Sequence, residues 1–242
     1  MKAASLAVIA FLMAVTTVRA QASGAADART AADPAVPTLA HLTGPEETDM
    51  ARVVERFRED DGALRRRYDA PWSAEARDRM RRFYTGWRDE LRALDFDALD
   101  AGSRIDWLLL DYELRYRLSE ADRMDGLFDE MTPLVPFAAD LVALHEARRR
   151  MEPVDGRETA ALLAAIPERV ADARSSLDAA LAGDDAPSRV VGLRAAQALS
   201  ATRRSLDRWY GFHAGYDPMF TWWVAEPYEA AVASLEAYEE HL

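Results

Sequence analysis

The sequence predicts an all-α protein. Apolar residues recur every three to four positions along most of the chain, which is the period of a helix with one buried face. No run of β-branched or aromatic residues has the alternation of a half-buried strand. With 242 residues, half of them apolar, the chain is long enough to bury a sizeable core. We therefore expect an irregular multi-helix bundle without an internal repeat.

The N-terminus has the pattern of a secretory signal peptide. Lys2 precedes a largely apolar run from Ala3 to Val15, and small residues form cleavage contexts at 18–20 and 20–22. The run is shorter than the ~20 residues that span a bilayer, which disfavours a membrane anchor. We predict a signal peptide at 1–22, cleaved on export to the periplasm or the medium. Residues 23–41 are polar, contain Gly and Pro and show no apolar period, so they are predicted to be a disordered leader before a helical domain at 42–242.

Three helices are predicted between residue 50 and the 120s, and Ser73 is placed to cap the second. We expect one apolar stripe of each helix to face the core. The stripes are Met50, Val53, Val54, Phe57, Leu64 and Tyr68 in the first helix; Met80, Phe83, Tyr84, Trp87, Leu91 and Leu94 in the second; and Ile105, Leu108, Leu109, Tyr112 and Tyr116 in the third.

Further helices are predicted after Pro133 and Pro136. One pattern runs from Phe137 to Arg150, and another begins where Asp155 and Glu158 have the spacing of a capping box. Pro167 lacks the amide hydrogen that an interior helical bond needs, so we favour a new helix there. The stripe from Val191 to His213 predicts the longest helix of the chain.

A last amphipathic stripe consists of Ala231, Leu235, Tyr238 and Leu242 and has no Gly or Asn stop signal. We interpret it as a hint that the sequence is the front part of a longer protein, with an apolar patch near Leu235 and Leu242. Terminal helices also fray without a formal cap, and this alternative stays open.

Composition excludes several function classes. The 42 acidic and 30 basic residues give a formal charge of -12, the wrong sign for neutralising nucleic-acid phosphates. The absence of Cys excludes disulfides, thiol catalysis and thiolate metal sites. Most Arg, Asp and Glu residues have spacings that suit solvated helix faces, and we assign them no function.

No set of catalytic or metal-ligating residues is complete. His145-Glu146 begins the pattern of a zinc-binding helix, but Arg149 stands where the second His ligand is needed, so we expect a solvent-facing or helix-capping histidine. His213 could meet Asp217 across a turn, which is at best a partial site. The sequence around Ser103 lacks the flanking residues of a hydrolase nucleophile elbow. We assign no catalytic and no metal residue.

The most unusual segment is rich in aromatic residues and interrupted by Gly211, Gly215 and Pro218. One interpretation is an aromatic groove for a peptide or a sugar, and the other, which we favour, is a packed corner between two helices. The candidate cleft or binding residues are Trp209, Tyr210, Tyr216, Asp217, Phe220, Trp222 and Trp223.

Three segments resemble a known family. They are Leu94-Asp95-Phe96 followed by Arg104-Ile105-Asp106-Trp107-Leu108-Leu109-Leu110; the turn Pro133-Leu134-Val135-Pro136-Phe137; and the run from Gly211 to Trp223, GFHAGYDPMFTWW. Together they look like the N-terminal half of exported bacterial proteins in the "domain of unknown function 885" (DUF885) family. The resemblance implies a longer, largely helical, zinc metallopeptidase-like protein whose His-Glu-x-x-His-type motif lies in a C-terminal half. No residue of this sequence matches that motif.

Two function hypotheses follow. In the first, the chain is the N-terminal scaffold of such a hydrolase, is inactive alone and needs zinc only in the missing C-terminal half. Its partners are then a peptide substrate, that missing half or a second copy, with no nucleic acid and no membrane after signal cleavage. In the second, the chain is a complete exported binding module that uses the Trp209–Trp223 surface. Buried aromatics, together with an apolar patch near Leu235 and Leu242, would favour the first hypothesis, and exposed aromatics the second.

Overall fold

The computed structural model describes Val36 and residues 50–242, and the predicted signal peptide and most of the predicted leader lie outside these residues. The described residues form α-helices and short 3-10 turns, without a strand, so the predicted all-α class is confirmed. Residues 50–242 contain eight α-helices: α1 (Met50–Arg67), α2 (Ala74–Ala93), α3 (Ala101–Met131), α4 (Ala138–Arg149), α5 (Gly156–Ala164), α6 (Ile166–Leu181), α7 (Arg189–Ala214) and α8 (Pro218–His241). Within residues 50–242, no helix combines the length and apolar character needed to cross a membrane.

The predicted helix starts are confirmed at three positions. The Ser73 hydroxyl accepts from the Ala76 amide at 2.9 Å and caps α2, and the Asp155 carboxylate accepts from two amides at the start of α5. Pro167 stands in the first turn of α6, where a missing amide hydrogen costs nothing. The prediction of the longest helix was wrong, because α3 has 31 residues and α7 has 26.

Helices α1, α2 and the first half of α3 enclose one core. Its centre is aromatic: the Phe57 ring stacks on Phe83 at 5.9 Å and meets the edge of Trp87 at 5.4 Å. Val36 packs on the outside of this core, against Gly86 of α2. A Cβ at position 86 would lie 3.0 Å from a Val36 methyl group, a tighter contact than most side chains make, so this close approach favours glycine.

The predicted inward face of α3 was wrong. Its five residues, Ile105, Leu108, Leu109, Tyr112 and Tyr116, are each more than half exposed. The core is instead contacted by Leu110 and Leu114, with Trp107 half-buried beside them. The Trp107 indole donates to the Leu91 carbonyl at 2.8 Å, which fixes the rotation of α3 against α2.

A second core lies between α4, α5, α6, α7, α8 and the end of α3. The predicted terminal stripe faces this core, since Ala231, Leu235 and Tyr238 are buried and only Leu242 is partly exposed. The expected apolar patch near Leu235 was therefore wrong, because the chain covers this stripe itself. The Tyr238 hydroxyl donates to the Leu134 carbonyl at 2.7 Å and fastens α8 to the turn before α4.

Candidate functional site

The aromatic segment at the α7–α8 corner divides into an inward and an outward half. Trp209 and Phe220 are buried and meet edge to face at 5.5 Å. Tyr210 is half-buried and stacks on Tyr228 of α8, with 3.8 Å between ring centroids. These three candidate residues form a packed corner between the two helices.

The outward half of the corner includes Tyr216, 90% exposed, and Trp222, 70% exposed. Trp222 meets the half-buried Trp223 edge to face at 4.5 Å, and the Arg157 guanidinium lies 4.6 Å from the Trp223 ring. Asp217 caps α8 by accepting from the Met219 amide at 2.9 Å. Arg157, Asp217 and Trp223 border an open depression of about 260 Å³ between the starts of α5 and α8, and Tyr216 and Trp222 do not line it.

His213 joins the inward half of this corner, 5.0 Å from the Trp209 ring. Burial lowers the pKa of His213, the Arg148 charge lowers it further, and the Asp217 carboxylate opposes both effects. The Asp217 amide donates to the His213 carbonyl at 3.0 Å, so the two residues meet through their backbones at the turn between α7 and α8. Neither the indole nitrogen of Trp209 nor Nε2 of His213 has a hydrogen-bond partner among residues 50–242.

His145 is neither solvent-facing nor a helix cap, and that expectation was wrong. It is 3% exposed on α4, and both ring nitrogens are used: Nε2 lies 2.9 Å from Asp69 Oδ1 and Nδ1 lies 3.0 Å from Ser205 Oγ. Buried polar groups need such partners, and each ring nitrogen of His145 has one. The chain of contacts ties the α1–α2 loop, α4 and α7 together.

This Asp–His–Ser chain has the residue types of a hydrolase triad and lacks its accessibility. Ser205 is 4% exposed inside α7, where no substrate carbonyl can reach its hydroxyl. Burial opposes ionisation of Asp69, but the His145 hydrogen bond and the Arg149 charge outweigh it and lower the pKa of Asp69. The geometry therefore supports a structural role, in which the hydrogen bonds of Asp69, His145 and Ser205, called the tie below, hold three elements together.

A cavity of about 250 Å³ lies next to this tie, between the start of α2, the end of α3, α4 and α7. Trp72, Phe128 and Val142 contribute apolar walls, and Glu75 and Glu146 also line the space. Trp72 has φ = 57°, a left-handed conformation that is unusual for a bulky side chain. The sequence singled out His145-Glu146 only as an incomplete zinc motif, and it gave no signal for Trp72, because a positive φ has no pattern outside glycine and asparagine.

The outer face of α3 is the third candidate surface. Its apolar side chains recur at positions i, i+3, i+4, i+7 and i+11 and line one side of the helix over about three turns. Monomeric proteins rarely expose a contiguous patch of this kind unless it binds something. The sequence located the stripe and assigned it to the core.

The described residues do not fit a zinc centre. No three His, Asp or Glu side chains within residues 50–242 converge as metal ligands. His145 is occupied by Asp69 and Ser205, and His241 lies 2.7 Å from a single carboxylate oxygen of Asp178.

Comparisons with known proteins give one match. A family model with the description "Bacterial protein of unknown function (DUF885)" matches residues 45–214. The match covers the first two segments that carry the resemblance and the beginning of the third. No curated protein and no solved structure matches the chain.

Proposed function

Because the chain belongs to the DUF885 family of bacterial proteins, we propose that its helices are the scaffold part of an exported zinc metallopeptidase-like hydrolase. In this proposal the helices shape one side of a substrate cleft and are inactive alone. The zinc motif and the catalytic residues belong to a C-terminal part of the family architecture that this sequence does not include.

The observation that carries the proposal is the exposed outer face of α3. The inner face of the same helix is covered by α1 and α2, so α3 is a core helix with one uncovered side. Apolar anchors at helical spacing are the pattern with which one helix packs into the groove of another. Covering the stripe would gain roughly 25 cal/mol for each Å² of apolar surface removed from water. We assign the face to packing against the catalytic part.

The decisive experiment begins with the coding DNA beyond codon 242. We expect an in-frame helical continuation with two His and a Glu at zinc-ligand spacing. The present chain should hydrolyse no peptide, with or without Zn²⁺, and the longer chain should hydrolyse peptides in a chelator-sensitive manner. A stop codon with no such continuation in any frame, or zinc-dependent hydrolysis by the present chain, would refute the proposal.

The role of α3 is tested in the same longer protein. Leu108→Glu combined with Leu109→Glu places two charges in the stripe and should separate the two parts, lowering hydrolysis at least tenfold. The matched control replaces two residues with exposed side chains outside the stripe, Leu181→Glu and Val190→Glu, and should retain activity. In the present chain, the exposed stripe should cause self-association and binding of a hydrophobic dye, both reduced by the α3 variant and measured by sedimentation and fluorescence.

Export is part of the proposal and has its own test. The pattern at residues 1–22 supports cleavage after Ala22, so the mature protein from a periplasmic or culture fraction should begin at Ser23. Mass spectrometry of the intact protein measures this directly. An uncleaved N-terminus in the cytoplasmic fraction would contradict it.

A second candidate function is a complete, non-catalytic binding module. The exposure of Tyr216 and Trp222 favours it, because aromatic rings at a surface bind peptides and sugars. A peptide or oligosaccharide array should then give hits that both Trp222→Ala and Tyr216→Ala remove, while Met151→Ala, at an equally exposed position, retains them. Hits on the present chain that depend on these two rings, together with a stop after codon 242, would favour this function.

A further inference from the structure

The cavity beside Trp72 has the size of a small-molecule site. Its volume of about 250 Å³ is just below that of typical ligand pockets, which hold drug-sized molecules in ~300–1,000 Å³. The space suits a ligand of about eight to ten non-hydrogen atoms, somewhat larger than the benzene that fits a dry cavity of ~150 Å³. Most of its walls are apolar. The rings of Trp72 and Phe128 line the cavity, as do Val142 of α4 and Ala198 of α7.

The charged side chains that line the cavity are both carboxylates, Glu75 and Glu146. The same two residues also line a small adjoining notch at the surface, where Arg67, Arg149 and Arg150 supply positive charge on the outer side, so the two carboxylates stand between the apolar chamber and these arginines. A cation bound there would be stabilised by two negative charges while its apolar body is removed from water.

Each carboxylate retains hydrogen-bonding capacity. Glu75 uses Oε2 to accept from Arg150 at 2.6 Å, and Glu146 uses Oε1 to accept from the Ser73 hydroxyl. A carboxylate oxygen has two lone pairs, so both residues can accept further bonds from an ammonium group, which offers three donors. Arg150 also pairs with Glu152, so its single charge is shared between the Glu75 and Glu152 carboxylates.

The wall of the cavity is held in place by several bonds. Trp72 has its backbone in the left-handed region, and its carbonyl accepts from Arg77 at 3.2 Å. The adjacent Ser73 hydroxyl caps α2 and donates to Glu146 of α4. Because these contacts fix both sides of the mouth, the site is formed before a ligand binds, which reduces the entropy cost of binding.

We propose that this cavity binds a small hydrophobic primary amine. Its ammonium group lies between Glu75 and Glu146, and its aliphatic or aromatic body fills the chamber lined by Trp72 and Phe128. The proposal is independent of the scaffold role of the chain, and it predicts selectivity for positive charge as well as for apolar shape.

Titration calorimetry with phenethylamine, 2-phenylethanol and 3-phenylpropionate tests this selectivity, because the three probes share an apolar body and differ in charge. We expect the amine to bind at least tenfold more tightly than the alcohol, and the acid to show no binding. Equal binding of amine and alcohol, or no binding of the amine at 10 mM, would overturn the proposal.

Variants locate the site. Glu75→Gln and Glu146→Gln each keep an acceptor and should each weaken amine binding at least fivefold. Glu75 is partly exposed, so its variant remains informative even where Glu146→Gln lowers stability. Ala138→Phe places a ring at the cavity wall and should abolish binding, whereas Ala161→Phe on the exposed side of α5 should leave it unchanged. Amine binding that survives Ala138→Phe, or that neither glutamine variant weakens, would show that the amine binds elsewhere.

Discussion

Helices α3 and α8 each carry an apolar stripe with the same helical period, but one stripe is exposed and the other is buried. The α8 stripe is buried by the chain itself, with Leu235 fully inaccessible, whereas Leu109 in the outer stripe of α3 is 62% exposed. Both stripes satisfy the spacing that predicts a buried face. Periodicity therefore identifies the face that needs a partner, and it does not identify the molecule or segment that provides one.

The difference has a physical origin in α3. This helix is apolar on two sides, because Trp107, Leu110, Leu114 and Leu118 form a second stripe beside the outer one. The inner stripe packs against α1 and α2, and even a buried carboxylate, Asp111, is accommodated there by Arg88 at 3.2 Å and Arg115 at 2.9 Å. A helix with two apolar stripes can serve an internal core and an external contact at once.

The largest loss of stability is expected from a substitution in the buried stripe of α8. Leu235→Ala should lower the free energy of unfolding by about 2–5 kcal/mol, because it leaves a cavity in the second core. Urea denaturation measures the loss. Leu114→Ala on the inner face of α3 is the matched variant and should cost a similar amount. A loss below 1 kcal/mol for Leu235→Ala would contradict the burial of the α8 stripe.

The second largest loss of stability is expected from breaking the hydrogen-bonded chain of Asp69, His145 and Ser205. Ser205→Ala removes the partner of Nδ1 inside the protein and should cost about 1–3 kcal/mol, the penalty of an unsatisfied buried polar atom. Ser200→Ala, at a more exposed position of the same helix, should change stability by less than ~0.5 kcal/mol. Equal effects of the two substitutions in urea denaturation would show that the tie does not contribute.

Tyr238 extends the comparison to pH. Burial and the Asp178 charge raise the pKa of Tyr238 to about 12, above the unfolded value near 10. The contribution of the protonated Tyr238 hydroxyl to the free energy of unfolding should therefore be complete below pH ~10 and lost as the pH rises through about 12. Tyr238→Phe, which removes the bond to the Leu134 carbonyl, should cost about 1–2 kcal/mol at pH 8. The difference in free energy of unfolding between this variant and the parent protein should be smaller at pH 11 than at pH 8. The same difference at both pH values in urea denaturation would contradict the raised pKa of Tyr238.

Most of the fold was predictable because local signals decide it. Ser73 and Asp155 mark helix starts by accepting from amides within one turn, and Pro167 marks one because it lacks an amide hydrogen, so all three can be recognised without tertiary information. The face of α3 was not predictable, because choosing between two apolar stripes requires the positions of α1 and α2.

The candidate sites show the same limit. Trp209, Phe220 and Trp222 were recognised as a group, yet sequence spacing does not separate the two buried rings from the exposed one. The tie joins Asp69, His145 and Ser205 across at least 60 residues, and the cavity joins Trp72 to Ala198, so both arise only from tertiary packing. The one local signal was His145-Glu146. The sequence drew attention to these two residues, but it placed His145 at the surface, whereas the structure buries it.

The smallest expected effect on stability is on the exposed stripe. Leu109→Gln should change the free energy of unfolding by less than ~0.5 kcal/mol, because its side chain loses little contact within the chain. The same substitution should reduce self-association and dye binding, since it interrupts the apolar patch at its centre. Urea denaturation and sedimentation of the full 242-residue chain measure the two effects separately. A loss of 2 kcal/mol or more would mean that part of this chain already covers the outer face of α3, and the face would then not be available to a catalytic part.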